Sequence, residues 1–307
     1  MAELRELATG LRFPEGPVAM EDGSVVLVEI ARGAVTRVSA DGEVEVVAET
    51  GGGPNGAALG PDGKLYVCNN GRSFDFVEME GVGLFPHQPP SAWEGGRIER
   101  VDLETGEVER IYEDCDGRPL RGPNDLVFDQ HGGFWFTDHG IREERTSDRT
   151  GAFYAQPDGS SIREVMFPLD EPNGIGLSPD GDRVYVAETV TGRVWFWPVT
   201  APGEVEEVPG VLPHGGQLLA GLPDLQALDS LAVDSEGYVC VGTLVNGGIT
   251  AISPDGSRRD FMETGDLLTT NICFGGDDLR TAYITCSAGG RLLSTEWPRP
   301  GLRLPYQ

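Results

Sequence analysis

Lysine occurs once in the 307 residues, at Lys64 within a PDGK turn, which argues against a Schiff-base amine. Basic residues are scarce altogether: 23 Lys and Arg stand against 50 Asp and Glu, for a net charge of −27. Nucleic acids and anionic membranes are held by clustered Lys and Arg, so neither is expected as a partner. The acidic surface instead enriches cations near it. Cysteine is limited to Cys68, Cys115, Cys240, Cys273 and Cys286, an odd count without a CxxC pair. These read as reduced, mostly buried thiols of a cytosolic protein and not as a disulfide framework. No apolar run approaches a membrane span, and MAELRELATGLRF lacks the apolar core of a signal peptide. A cytoplasmic location is expected, with the oligomeric state open. No GxSxG elbow occurs, against a serine hydrolase.

What the chain does contain is one phrase written six times. The copies are PEGPVAMEDGSVVLVEI from Pro14, PNGAALGPDGKLYVCNN from Pro54, PNDLVFDQHGGFWFTDH from Pro123, PNGIGLSPDGDRVYVAET from Pro172, LDSLAVDSEGYVCVGTL from Leu228 and TNICFGGDDLRTAYITCS from Thr270. Each is an apolar run, a turn of Pro, Asp and Gly, and a second run rich in Val, Tyr, Phe and Trp, which is a β-hairpin. The second position of each copy is polar: Glu15, Asn55, Asn124, Asn173, Asp229 and Asn271, spaced 40, 69, 49, 56 and 42 residues apart. Hairpins at such intervals predict an all-β, six-bladed propeller with four antiparallel strands per blade around a central channel. The repeats use nearly the whole chain, so residues 1–307 are expected to form a single domain.

In a propeller the innermost strand runs along the channel and the second returns beside it, so both sets of end residues share one mouth. One set is the six polar positions. The other closes the hairpins: Glu29, Asn69, Asn70, Asp138, His139, Glu188, Thr189, Thr243 and Ser287. The opposite mouth receives ordinary turns such as PDG at 61–63 and should be structural; His131 lies there and is expected to be inert. Residues 2–12 are expected to supply the outermost strand of the last blade. Two connections are oversized. Residues 71–96, with Phe74, Phe76, Phe85 and Trp93, are expected to sit over the pocket as a lid or wall, or else to pack on their own aromatics. Residues 211–226 lead into Asp229 as a candidate second wall. His87 and His214 fall in these two insertions, with no place assigned.

Glu15, Asn173 and Asp229 offer two carboxylates and an amide oxygen, with Asn124 and Asn55 nearby. All-oxygen ligation suits a hard divalent cation, calcium first, then magnesium or manganese; iron or zinc completes the candidate set, although zinc favours His or Cys. The alternative for any one copy is that Asn after Pro simply forms a turn. Asp138 and His139 could assist proton transfer or bind a hydroxyl, or Asp138 could satisfy backbone amides. Glu188 is a candidate second-layer partner of a pocket residue. Cys273 follows Asn271 closely enough to line the channel, though packing is the simpler role.

The phrases FPEGP, GPNDLVFD, PNGIGLSPDGDRVYVAET and TTNICFGGDDLRTAYITCS, in that order over residues 11 to 297, resemble the SMP-30/gluconolactonase/luciferin-regenerating-enzyme family of six-bladed propellers. The resemblance implies one divalent metal in the channel and hydrolysis of sugar lactones or related cyclic esters. It implies Glu15, Asn173 and Asp229 as metal ligands, Asn124 as an oxygen contact to substrate or metal, and Asp229 as the base that activates water. Arg121 is a candidate substrate contact, but it stands three residues before Asn124 where the family often places an arginine two before. Two rival readings stay open: a phosphotriesterase of the diisopropyl-fluorophosphatase type, and a non-catalytic binding scaffold as NHL and WD40 rings are.

Overall fold

The computed structural model describes residues 3–210 and 212–307. Met1, Ala2 and Val211, which fall in the expected single domain, closing segment and second insertion, lie outside the described residues. Six antiparallel sheets of the four-stranded propeller type form the ring. Blade one is Pro14–Ala19, Val25–Glu29, Ala34–Val38 and Val44–Glu49, and blade two is Pro54–Leu59, Leu65–Asn69, Arg97–Val101 and Val108–Tyr112. Blade three is Pro123–Phe128, Phe134–Asp138, Thr150–Ala155 and Ile162–Leu169. Blade five is Ala227–Val233, Val239–Leu244, Gly248–Ile252 and Arg259–Glu263. Blade six takes Thr269–Gly275, Thr281–Cys286 and Arg291–Glu296 from the end of the chain and its outer strand, Arg5–Ala8, from the beginning, with Arg5 opposite Ser294. The expected closure is therefore present.

Blade four departs from the pattern of the others. Its first three strands are Pro172–Leu177, Arg183–Glu188 and Arg193–Ala201, but its fourth is Gln217–Gly221. Between them, Glu204–Val205 makes only a two-residue pairing with the end of the third strand. Residues 217–221 are thus a blade edge, and none of residues 212–226 lines the channel cavity. His214 explains the arrangement: its ring packs on Trp195 and Trp197 at 4.8 and 5.6 Å, and its carbonyl accepts the Trp197 indole N–H.

Burial follows radius. The inner strand Pro14–Ala19 is buried throughout, whereas the outer strand Val44–Glu49 is mostly exposed, the pattern of sheets stacked face to face and wet at the rim. The apolar cores are wedges between neighbouring blades. Tyr66, Cys68 and Ile98 of blade two meet Phe128, Phe134 and Phe136 of blade three; Trp135 and Met166 of blade three meet Val184, Val186 and Trp197 of blade four. Because the hydrophobic driving force is spent between sheets, the axis is left free for polar groups. Inner strands approach so closely that a Cβ on Gly56 would lie 2.5 Å from the Asn124 carbonyl oxygen, which accounts for the Gly after the polar position.

Residues 71–96 leave blade two as a separate hairpin, Asp75–Met79 with Gly83–His87. It reaches over blade one to blade six, where the Leu84 N–H donates to the Ala288 carbonyl at 3.0 Å. Gly83 has positive φ, and a Cβ there would collide with that same carbonyl oxygen at 2.0 Å. At the other mouth, Leu302, Leu304, Pro305, Tyr306 and Gln307 line the lower channel; Tyr306 packs edge-on against Phe128, and Gln307 donates to the Phe274 carbonyl. All five cysteines are free thiols, four of them buried. Among the described residues no helix is long and apolar enough to cross a membrane.

Candidate active site

The six polar positions share one backbone device. In blade three the ladder runs from Pro123 opposite Asp138 to Leu126 opposite Phe136, three residues against two. The same extra residue occurs at this point in the first strands of the other blades. A bulge breaks the side-chain alternation and re-aims a residue. Here it turns the polar positions of five blades into one cavity of about 340 Å³, lined by Glu15, Asn55, Asn124, Asn173 and Asp229 among others. Asn271 sits just below, lining the lower channel, and donates its amide to Glu15 Oε2 at 2.7 Å.

The electrostatics of this floor are unbalanced. Glu15 is 1% exposed; Oε2 accepts from Asn271 and from the Gly16 N–H at 2.7 Å, while the buried Oε1 has no partner. Asn124 Oδ1 is likewise buried without a partner. Asp229 Oδ1 accepts from the Ser230 N–H at 3.1 Å. Asn173 is held by both of its polar atoms, Nδ2 donating to Thr189 Oγ1 at 3.1 Å and Oδ1 accepting from Ser230 Oγ at 3.4 Å. Burial pushes the Glu15 carboxyl up to about 7. Burial first, and then the Glu15 charge, push Asp229 well above the ordinary carboxylate range. A like charge nearby raises a carboxyl in this way unless a cation neutralises the pair.

A third acid is present that the sequence reading missed. Asp125 follows Asn124 and lies under the floor, accepting from the Leu126 N–H at 2.9 Å and the Ile175 N–H at 3.4 Å. Burial and the Glu15 charge push it up to about 8. Its signal was PND in one copy where three others read PEG or PNG. Among the described residues no three His, Cys, Asp or Glu side chains form a metal-holding group; the floor is a mixed set of carboxylate and amide oxygens.

The other expected residues divide. His139 lines the cavity, buried, with Nδ1 unpartnered and Nε2 3.9 Å from Glu171; desolvation lowers its pKa, the Glu171 charge opposing. Glu171 also pairs with Arg142, and both line the cavity, again unforeseen. Asp138 does not reach it: its oxygens accept from the N–H groups of Arg121 and Gly122 at 2.7 Å and of Gly140 at 2.9 Å. Arg121 does not reach it either. Its guanidinium pairs with Asp148 at 2.8 Å and covers the Trp93 ring at 4.3 Å. Glu188 accepts from the Asp170 N–H, Thr191 and the Trp195 indole, serving the blade edge and no pocket residue. Cys273 lines the lower channel. Phe74, Phe76 and Phe85 do line the cavity, whereas Trp93 packs outside it.

Several known proteins share this build. A gluconolactonase of Zymomonas mobilis is 24% identical over 316 residues, spanning 92% of this chain and 78% of that one. The structure of a gluconolactonase from Xanthomonas campestris superposes with a TM-score of 0.76 at 23% identity, covering 97% of this chain and 90% of the other. That of a calcium-binding protein, regucalcin, from Agrobacterium tumefaciens does so with a TM-score of 0.74 at 18% identity, covering 99% and 98%. The family region described as SMP-30/Gluconolactonase/LRE-like matches residues 13–288, and with six bladed sheets converging on one polar floor this chain belongs to that family.

Proposed function

We propose that this protein is a lactonase that opens a cyclic ester with the help of one divalent cation held on the channel floor. The observation that carries the reading is the pair Glu15 and Asp229: a buried carboxylate and a half-buried one that its charge helps to raise, beside orphaned oxygens of Glu15 and Asn124. A binding scaffold has no use for such a pair, because uncompensated buried charge is costly. Oxygen donors of mixed charge fit a hard cation, calcium before the others; Glu15, Asn124, Asn173 and Asp229 would hold it. The regucalcin neighbour is described as calcium-binding, but that likeness is one of fold, and the case for the ion stands on the donors. The names of the relatives support lactone hydrolysis, and no observation favours phosphotriester substrates.

When bound, the ion supplies positive charge that polarises the ester carbonyl and lowers the pKa of water. The protein does the rest. Asp229, with Oδ1 engaged by the Ser230 amide, takes the proton of the attacking water on Oδ2. Asn55 and Asn124 offer amide N–H groups to the ring substituents. His139, buried and held neutral, presents Nδ1 to a substrate hydroxyl, and as the acyl–ring oxygen bond breaks the proton held by Asp229 passes to the departing ring oxygen. The hairpin at 75–87 acts as wall and lid, excluding bulk water and strengthening each polar contact beneath it. On this reading the whole ring is one catalytic unit.

A pH-indicator assay of the purified protein with calcium, over lactones and phosphotriesters, tests the proposal. Lactone turnover is expected, falling roughly 10²–10⁴-fold in Asp229→Asn, the range typical of a lost general base. Undiminished turnover in that variant, or phosphotriester turnover alone, overturns it.

A further inference from the structure

Resting on the lactonase reading, we propose that the substrate is a lactone bearing a hydrocarbon substituent, and that the aromatic wall of the 71–96 insertion binds that substituent. The cavity has two unlike sides. The floor carries the carboxylates and amides. Opposite stand Phe74, Phe76, Phe85 and Pro86, continued by Phe13, Ile30, Leu244 and Leu268, and none of these side chains can make a hydrogen bond to a hydroxyl.

The wall is a built feature. Leu84 is buried against Phe13, Ile30, Leu268 and Ala288, the Phe13 and Phe76 rings meet at 4.9 Å, and the hairpin is tied to blade six through the Leu84 amide. Phe74, Phe76 and Phe85 remain only half-buried, so part of each ring is open for a ligand to cover.

Polar side chains near the wall are few. Gln88 Nε2 donates to the Ser73 carbonyl at 3.0 Å, and Arg142 is paired with Glu171. The buried cavity-lining atoms without a partner, Glu15 Oε1, Asn124 Oδ1 and His139 Nδ1, lie at the floor and at the His139 corner. A ring bearing a hydroxyl on every carbon, laid with its carbonyl on the floor, would turn several hydroxyls toward phenyl faces, where a buried polar group without a partner is penalised. A hydrocarbon substituent gains in the same place from leaving water.

The test is a homologous series of δ-lactones with methyl to hexyl side chains, compared with D-glucono-δ-lactone, on the full-length protein with calcium. We expect kcat/KM to rise about fourfold per added methylene until the wall is covered, and to exceed the value for the polyhydroxylated ring. Phe76→Ser and Phe85→Ser should flatten the series, while Phe85→Leu should keep most of its slope; melting curves check that each variant is folded. If a serine variant fails to fold, the wild-type series and Phe85→Leu still decide. Turnover of lactones with a flat series, or a preference for the sugar lactone, overturns this inference and leaves the lactonase reading standing. Turnover of no lactone overturns both.

Discussion

Asn271 of the sixth blade donates its side-chain amide to Glu15 of the first at 2.7 Å, linking residues 256 apart in sequence where the last blade meets the first. The bond fixes Oε2 of Glu15 and leaves Oε1 bare, so the carboxylate is oriented but not neutralised. Its carboxyl is pushed up to about 7 by burial. A carboxyl raised in the folded state stabilises the fold at low pH and loses that contribution as pH rises through its folded pKa.

Glu15→Gln should therefore behave oppositely with and without ion. At pH 8 in EDTA the variant is expected to melt above the wild type, by an amount equivalent to roughly 1–3 kcal/mol. With millimolar calcium the order should reverse, because only the wild type gains from binding. Melting curves in the two buffers read this directly. A variant that still gains the full calcium shift removes Glu15 from the ligand set.

The ring itself was legible because its signal is periodic. Six copies of one hairpin specify six inner strand pairs, and the polar second position survives in all of them. The bulge that aims that position was not legible, since one extra residue in the ladder leaves no mark on composition. Without it, Asn124 and Asp138 look alike: both are polar ends of blade-three strands. The structure separates them through backbone accounting. The chain entering each of the first four blades presents amide groups, and the end of the second strand caps them, as Glu29 does for Arg12, Asn69 for Gly53, Asp138 for Arg121 and Glu188 for Asp170. Arg121 was misplaced because its partners, Asp148 and Trp93, come from two long connections whose paths no local pattern fixes. The outer strand of blade four was not legible for a similar reason. GEVEEV has strand-like alternation, yet covering Trp195 and Trp197 needs the later segment around His214.

That capping role gives a prediction for Asp138. Asp138→Ala leaves three buried amides without an acceptor, each worth on the order of 1–3 kcal/mol when unsatisfied. Allowing for the burial that raises the carboxyl itself, a net loss of about 2–4 kcal/mol is expected in chemical denaturation. Metal content should stay at the wild-type level, and in the folded fraction KM should be unchanged. A variant of normal stability with a raised KM would instead return Asp138 to the substrate site.

His214 gives the pH dependence. It sits between Trp195 and Trp197, and its Nδ1 accepts from the Gly216 N–H at 3.1 Å. Desolvation holds its pKa below the ordinary histidine value of 6.5, with Glu188 and Asp170 opposing and Arg149 assisting. The unfolded chain thus takes up the proton first as pH falls, and protonation of the folded ring also destroys the acceptor for Gly216. For a base with a depressed folded pKa, the stabilising contribution is complete above the unfolded value and is lost on acidification below it. His214→Asn keeps an acceptor near the Nδ1 position and removes the titration. Between pH 7 and pH 5.5 the wild type should therefore lose more melting temperature than the variant. The comparison is a difference between two proteins sharing every carboxylate, so the raised acids of the channel cancel. Parallel pH profiles would show that the ring stays solvated and that the Trp197 layer is looser than its packing indicates.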